Sequence, residues 1–131
     1  MNAKERKERP VFTGVLKYFP LAIMEIARVS LQGNKQHHPD KPLHWDRNKS
    51  TDDYDALARH LIDAGTMDDD GIRHTAKVAW RALACLEKEL EAEKQDYYVE
   101  QYNRNRETKD HIVNPDDIIS GTETAYVDGG V

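Results

Sequence analysis

The chain has 131 residues, of which 38% are hydrophobic and 33% charged, and its formal net charge is −5. These totals fit one small domain and argue against a general nucleic-acid binder, which needs a basic surface to displace counterions from phosphates. The single cysteine excludes an intrachain disulfide, and no apolar run approaches the roughly 20 residues that span a bilayer, so we expect a cytoplasmic protein without a membrane partner.

The first elements in chain order are a charged arm and a helix. We place the arm at residues 1–16. Met1–Arg9 is polar, and the mixed segment Val11–Tyr18 is predicted to be a loop or a short extended piece on the helices. Pro20 opens the first clear helix, because proline fits the first turn of a helix. Apolar residues recur from Leu21 to Leu31, and the pair Gly33-Asn34 predicts the end of this helix.

A polar loop and a second helix follow. The loop runs from Lys35 to Lys49, and a loop of this length in a compact domain is usually functional or disordered. Trp45 argues against disorder, since aromatic side chains tend to be anchored. Ser50 or Thr51 is predicted to cap the second helix, which Gly65 ends.

The third helix is predicted to be long, because apolar residues recur at helical spacing from Ala76 to Leu90. The fold class is therefore all-α, a compact helical bundle of about three main helices with a long polar loop. We place the helical domain at residues 17–100 and an irregular polar tail at 101–131. The small core favours a homo-oligomer, a dimer or higher.

Histidines are concentrated in one part of the chain. Five of the six fall in a single segment, at His37, His38, His44, His60 and His74. Neutral imidazole binds metals and transfers protons near pH 7. The alternative, which the sequence leaves open, is a set of solvated histidines.

Two carboxylates stand out near these histidines. Glu25 lies inside an apolar helix, where an unpaired charge would be costly, so it should meet a metal, a histidine or an arginine such as Arg28. Asp70 and His74 are four residues apart and would share one helix face, either on a metal or with the aspartate orienting the imidazole. The alternative is a helix N-terminus stabilised by aspartates, which Asp68 and Asp69 suit better.

Cationic and aromatic residues could contact a phosphorylated ligand. Arg59 and Arg81 offer guanidinium groups, which form bidentate hydrogen bonds with phosphates. Lys35 could add a contact from the loop. Trp45 could stack on a base, although a loop tryptophan more often pins its loop to the core. Salt bridges on the surface are the alternative for the arginines.

Six pieces in chain order carry a family resemblance: Leu21–Val29, Gly33–Lys35, His44-Trp45, Asp55–Leu61, Asp69–His74 and Val78–Leu83. On these pieces, the segment from Lys17 to Glu89 resembles the bacteriophage family of the dATP/dGTP diphosphohydrolase N-terminal domain. The resemblance implies an all-helical fold in the host cytoplasm. It also implies conversion of a purine deoxynucleoside triphosphate to its monophosphate and pyrophosphate.

The resemblance also implies a metal site, with Mg²⁺ or Mn²⁺ as the cofactor. Glu25, His60, Asp70 and His74 would hold the ion, with the first three as the catalytic residues. The substrate-binding residues would be Arg59, Arg81, Lys35, His44 and Trp45, and His37 and His38 would line the closing loop. Thr75-Ala76-Lys77 departs from the family pattern, which leaves the number of metals open.

Two other functions compete with hydrolysis. A binder without chemistry could sequester a nucleotide signal made by a host defence system. An interaction protein could use the charged third helix and the tail to join subunits or a larger particle. Intact nucleotide recovered from the protein would favour the first, and assembly without nucleotide would favour the second.

Overall fold

The computed structural model describes residues 1–112, with side chains described for residues 1–106. The helices are α1 (Ala3–Lys7), α2 (Pro20–His37), α3 (Asp53–Ile62) and α4 (His74–Ile112), and a π-helical turn spans Phe12–Leu16. Within residues 1–112 there is no strand, only one isolated bridge between Met67 and Arg73. The all-α prediction is confirmed.

The N-terminal arm contains helix α1, and the π-helical turn Phe12–Leu16 lies within Val11–Tyr18, so the prediction of a loop or an extended piece there was wrong. The Asn2 side chain accepts a hydrogen bond from the Glu5 backbone, and the Glu5 carboxylate accepts one from the Asn2 backbone. This reciprocal capping satisfies donors that a short helix otherwise leaves open. The π-helical turn Phe12–Leu16 then takes the chain towards α2.

Helix α2 runs past its predicted end. Gly33-Asn34 is an ordinary stop signal, yet the helix continues to His37. Asn34 is buried and bonded to the loop that follows, so tertiary contacts override the local signal. That loop spans residues 38–52.

Helix α3 begins after Asp52 rather than directly after Ser50 or Thr51. The Ser50 hydroxyl donates to the Asp52 carboxylate at 3.2 Å, and Asp52 accepts a hydrogen bond from Arg59, so neither side chain caps the helix. The turn to α4 uses Gly65 (φ 88°) and Gly71 (φ 76°), in a backbone region that favours glycine. Asp68 and Ile72 close this turn through a backbone hydrogen bond of 2.9 Å.

Two compact units divide the chain, Met1–Glu89 and Leu90–Val131. The core of the first unit is small and consists of mostly small side chains: Ala56, Ile72, Ala76, Ala84 and Cys85. Helix α4 continues to Ile112, so the irregular tail expected from residue 101 is helical to that point. The rest of that predicted tail, residues 113–131, lies outside the described residues.

No single helix among residues 1–112 is both long and apolar enough to cross a membrane. The bent pair Ala3–Leu16 and Pro20–His37, with 92° between its halves, passes that test by length and composition only.

Candidate functional site

A cavity of about 550 Å³ lies in the first unit, between the end of α2, the loop at 38–52 and the start of α4. Its size is typical of pockets for small-molecule ligands. Of the nine residues predicted to be catalytic, substrate-binding or metal-binding, five line it: His44, Trp45, His60, Asp70 and Arg81. His37 and His38, which were predicted for the closing loop, line it as well. The other four, Glu25, Lys35, Arg59 and His74, are not in its wall.

Asn34 positions the loop wall of the cavity. Its amide nitrogen donates to the Lys41 carbonyl at 3.0 Å, and its oxygen accepts from the His44 backbone at 3.3 Å. Asn34 is 8% exposed and is the only buried polar residue in the described part of the chain. Sequence reasoning missed this role, because it treated Asn34 only as a helix stop.

His38 and His44 lie together on this wall, with ring centroids 4.6 Å apart. Burial, then the neighbouring charge of His44, holds the pKa of His38 below its ordinary value. Within residues 1–106, its Nε2 is the one buried side-chain nitrogen or oxygen without a hydrogen-bond partner. A buried polar atom of this kind calls for a partner from outside the chain, such as water or a ligand.

His60 and His74 meet at the edge of the cavity. Their Nδ1 atoms are 3.0 Å apart, so one ring donates and the other accepts. Asp68 completes a group of three, with its Oδ2 4.0 Å from the Nδ1 of His74. One ligand atom from each residue lies within 4.8 Å of the others, so the histidine cluster of His60, Asp68 and His74 could hold a metal ion.

Asp70 does not share a helix face with His74, so that prediction was wrong. Helix α4 begins at His74, and Asp70 lies in the turn before it. The Asp70 Oδ1 accepts from the Ile72 backbone at 3.0 Å, which closes the turn. The carboxylate nearest the two histidines is that of Asp68, which the sequence suggested only as a helix N-terminal charge.

The Lys77 ammonium lies between Asp68 and Asp70, 2.6 Å from each carboxylate. The hydrogen bond from Lys77 holds the pKa of Asp68 below its ordinary value. Burial alone would raise the pKa of Asp70, but Lys77 and the Ile72 backbone lower it overall. Sequence reasoning missed Lys77, although its spacing of three residues from His74 places both on one face of α4.

Arg81 reaches the cavity from α4 and is paired with α3. Its guanidinium is 2.8 Å from Asp53 and 3.2 Å from the Ser50 hydroxyl. Lys88 bonds the other oxygen of Asp53. Burial raises the pKa of Asp53, but these cations lower it overall, so the carboxylate stays charged.

The two tryptophans line the cavity and contact each other edge to face, with centroids 5.8 Å apart. The Trp80 nitrogen donates to Ser30 at 2.7 Å, which fixes this ring between α4 and α2. The Arg47 guanidinium lies 4.3 Å from the Trp45 ring centroid. The Arg47 guanidinium therefore covers a face of the Trp45 ring on which a base would stack.

Glu25, Arg59 and Lys35 are neither in the cavity lining nor in the histidine cluster. Glu25 pairs with Arg28 at 3.0 Å, so the salt bridge that we considered as an alternative is what forms. Arg59 pairs with Asp52 at 2.8 Å and is largely exposed. Lys35 is exposed on the last turn of α2.

The family described as dATP/dGTP diphosphohydrolase, N-terminal, matches residues 2–97. This span contains the predicted segment Lys17 to Glu89, the whole cavity and the histidine cluster. Neither the curated proteins nor the solved structures that were compared with the chain include a match.

Proposed function

Since the chain belongs to the dATP/dGTP diphosphohydrolase N-terminal family, we propose that it hydrolyses purine deoxynucleoside triphosphates to monophosphate and pyrophosphate with a divalent cation. The cavity carries this proposal. It combines a nucleotide-sized volume with aromatic rings, cations and a histidine cluster at its edge. We also propose a cytoplasmic location for the protein.

The cationic side chains of the cavity suit a phosphate chain. Lys49, Lys77 and Arg81 line it beside three carboxylates, and these cations can donate hydrogen bonds to phosphate oxygens. Lys77 and Arg81 are held by carboxylates, so they are already oriented before a ligand arrives. Groups fixed in this way stabilise charge in a transition state at little reorganisation cost.

His60 is the residue best placed to move a proton. Burial, then the nearby charge of Lys77, keeps the pKa of His60 below 6.5, so its imidazole is neutral at neutral pH. A neutral imidazole can accept a proton from an attacking water or instead ligate a cation, and where His60 ligates a cation another group or solvent would take the proton. A bound Mg²⁺ or Mn²⁺ would add neutralisation of phosphate charge and acidify a bound water.

The test is product analysis with the full chain. Purified protein is incubated with dGTP or dATP in Mg²⁺ or Mn²⁺, with dCTP and a chelator as controls. We expect equal amounts of nucleoside monophosphate and pyrophosphate, from the purine substrates only, and no product with the chelator. Orthophosphate as the product, or no metal-dependent turnover, would contradict the proposal.

A specific observation favours a second function, sequestration of a nucleotide without hydrolysis. Three carboxylates line the cavity, and two of them, Asp52 and Asp70, are paired with the cations of Arg59 and Lys77 respectively, which leaves Asp46. Carboxylates engaged in this way are poor general bases, whereas binding needs none. Calorimetry with a nucleotide panel, followed by denaturation, distinguishes the two: a sequestering protein releases intact nucleotide.

A further inference from the structure

We infer that His60, Asp68 and His74 form a binding site for a divalent cation of the Mn²⁺ to Zn²⁺ series in preference to Mg²⁺. The site differs from the set expected from the sequence, because Asp68 replaces Asp70 and Glu25 is absent. It deepens the proposed function by naming the class of cation. Cation binding is measured without nucleotide, so either proposal can fail alone.

The donor atoms decide the class of cation. Mg²⁺ demands six oxygen ligands in nearly octahedral geometry, and this cluster offers two imidazole nitrogens and one carboxylate. Imidazole nitrogen suits Fe²⁺, Ni²⁺ and Zn²⁺, and the affinity of a given site rises from Mn²⁺ through Fe²⁺ and Co²⁺ to Ni²⁺. Three protein ligands also leave positions open for water or a phosphate oxygen.

The geometry needs a contraction on the Asp68 side. Ligand atoms about 2.1 Å from one ion lie about 3.0–3.4 Å from each other. The two Nδ1 atoms are already 3.0 Å apart, whereas the Asp68 Oδ2 is 4.0 Å from the Nδ1 of His74, and the three ligand atoms lie within 4.8 Å of one another. Asp68 lies in the turn before α4, so the shift falls on a loop rather than on a helix.

Cation binding need not release the proton that His60 and His74 share. In the absence of a cation, one Nδ1 carries a proton and donates it to the other. When both Nδ1 atoms bind a cation, that proton moves to the Nε2 of the donor ring. Both rings then remain neutral, which is the state that metal binding requires.

Lys77 is the resident competitor for this site. Its ammonium is 2.6 Å from the Asp68 oxygen that a cation would use, and 2.6 Å from Asp70. A divalent ion would displace it from Asp68 while it keeps its bond to Asp70. Removing the ammonium, as in Lys77→Met, should therefore raise the affinity for the cation.

Calorimetry and Co²⁺ absorption on the untagged full chain test the inference without nucleotide. We expect one Mn²⁺, Co²⁺ or Zn²⁺ per chain, with Mg²⁺ binding at least about tenfold more weakly. The variants His60→Ala, His74→Ala and Asp68→Asn should each lose about tenfold or more in affinity, and Lys77→Met should gain. Asp69→Asn is the matched control, because it removes a neighbouring exposed carboxylate and should change nothing.

Thermal melting with and without the metal covers variants that fold poorly, since a bound cation raises the melting temperature of any protein that retains the site. The inference is overturned if Mg²⁺ binds as tightly as Mn²⁺ and Zn²⁺. It is also overturned if the two histidine variants bind cations as the unmodified chain does, or if Asp69→Asn weakens binding as much as Asp68→Asn. Binding without turnover would count against the proposed function alone.

Discussion

Arg81 and Arg59 allow a direct test of which arginine acts in the cavity. Arg81 lines the cavity and Arg59 does not, although each holds one aspartate at 2.8 Å. If the protein hydrolyses nucleotides, Arg81→Gln should lower kcat/KM by about 100-fold, the usual cost of losing an oriented donor. Arg59→Gln should change it little, because that pair is exposed. Steady-state assays with dGTP measure both, and equal losses would contradict the assignment.

Residue-scale titration gives the fold a pH dependence. The folded-state pKa of His60 lies below its ordinary 6.5, so unfolded chains take up this proton first as the pH falls. The contribution of His60 to the free energy of unfolding should thus be fully present above pH 6.5. It should decline as the pH falls towards the lower pKa of the folded state. The hydrogen bond from Lys77 holds the pKa of Asp68 below its ordinary 3.8, so protonation of Asp68 causes a further loss of stability below pH 3.8.

Melting temperature as a function of pH measures this effect. The variant His60→Gln should flatten the decline just below pH 6.5, while the loss at lower pH remains. His38 shifts in the same direction and contributes to the same range, so His38→Gln serves as the second comparison. A melting temperature that rises on acidification through this range would contradict the prediction.

At the scale of the elements, the helices follow from local patterns but their ends do not. Pro20 and the apolar spacing located α2, and the recurrence from Ala76 located α4. The end of α2 depends on the burial of Asn34, which is a contact with a distant loop and leaves no local signature.

In the candidate site, too, some residues could be predicted from the local sequence and others depend on tertiary contacts. His60 and His74 could be selected from the sequence, because histidine is rare and chemically distinctive. Asp68 and Lys77 were not selected, because charged residues near a helix start are usually solvated, although the spacing of Lys77 from His74 was a usable signal. Their proximity arises from the turn that Gly65 and Gly71 create.

The contacts of Asn34 predict how the loop at 38–52 responds to mutation. Asn34→Ala removes the amide that bonds Lys41 and His44, and should destabilise the fold by about 1–3 kcal/mol. Hydrogen exchange of the His44 amide should quicken, since that amide donates to Asn34. The exposed neighbour Gln36, changed to alanine, should leave melting temperature and exchange unaltered. Unchanged exchange at His44 in Asn34→Ala would refute the role.

At the scale of the whole molecule, the first unit leaves more large apolar side chains exposed than it buries. Large apolar side chains in the first unit remain exposed, among them Leu21 at 83%, Met24 at 72% and Ile62 at 82%. The buried set contains only one large aliphatic side chain, Ile72, within the described residues. Such exposure on a small domain marks a surface for association, and a second copy of the chain is the partner that we predicted from the sequence.

The face of α2 is the place to test association. Leu21 and Met24 are three residues apart, so they share one face of the helix, and the exposed Phe19 precedes them. Light scattering coupled to gel filtration should give a mass of a dimer or higher for the unmodified chain. The double variant Leu21→Gln with Met24→Gln should shift it towards the monomer, because burying each side chain contributes about 1.5–3 kcal/mol to an interface. Ile62→Gln removes an equally exposed side chain from α3 and should leave the mass unchanged, if α2 carries the contact. A monomeric unmodified chain at every concentration would exclude the oligomer, and a mass that only Ile62→Gln reduces would move the interface to α3.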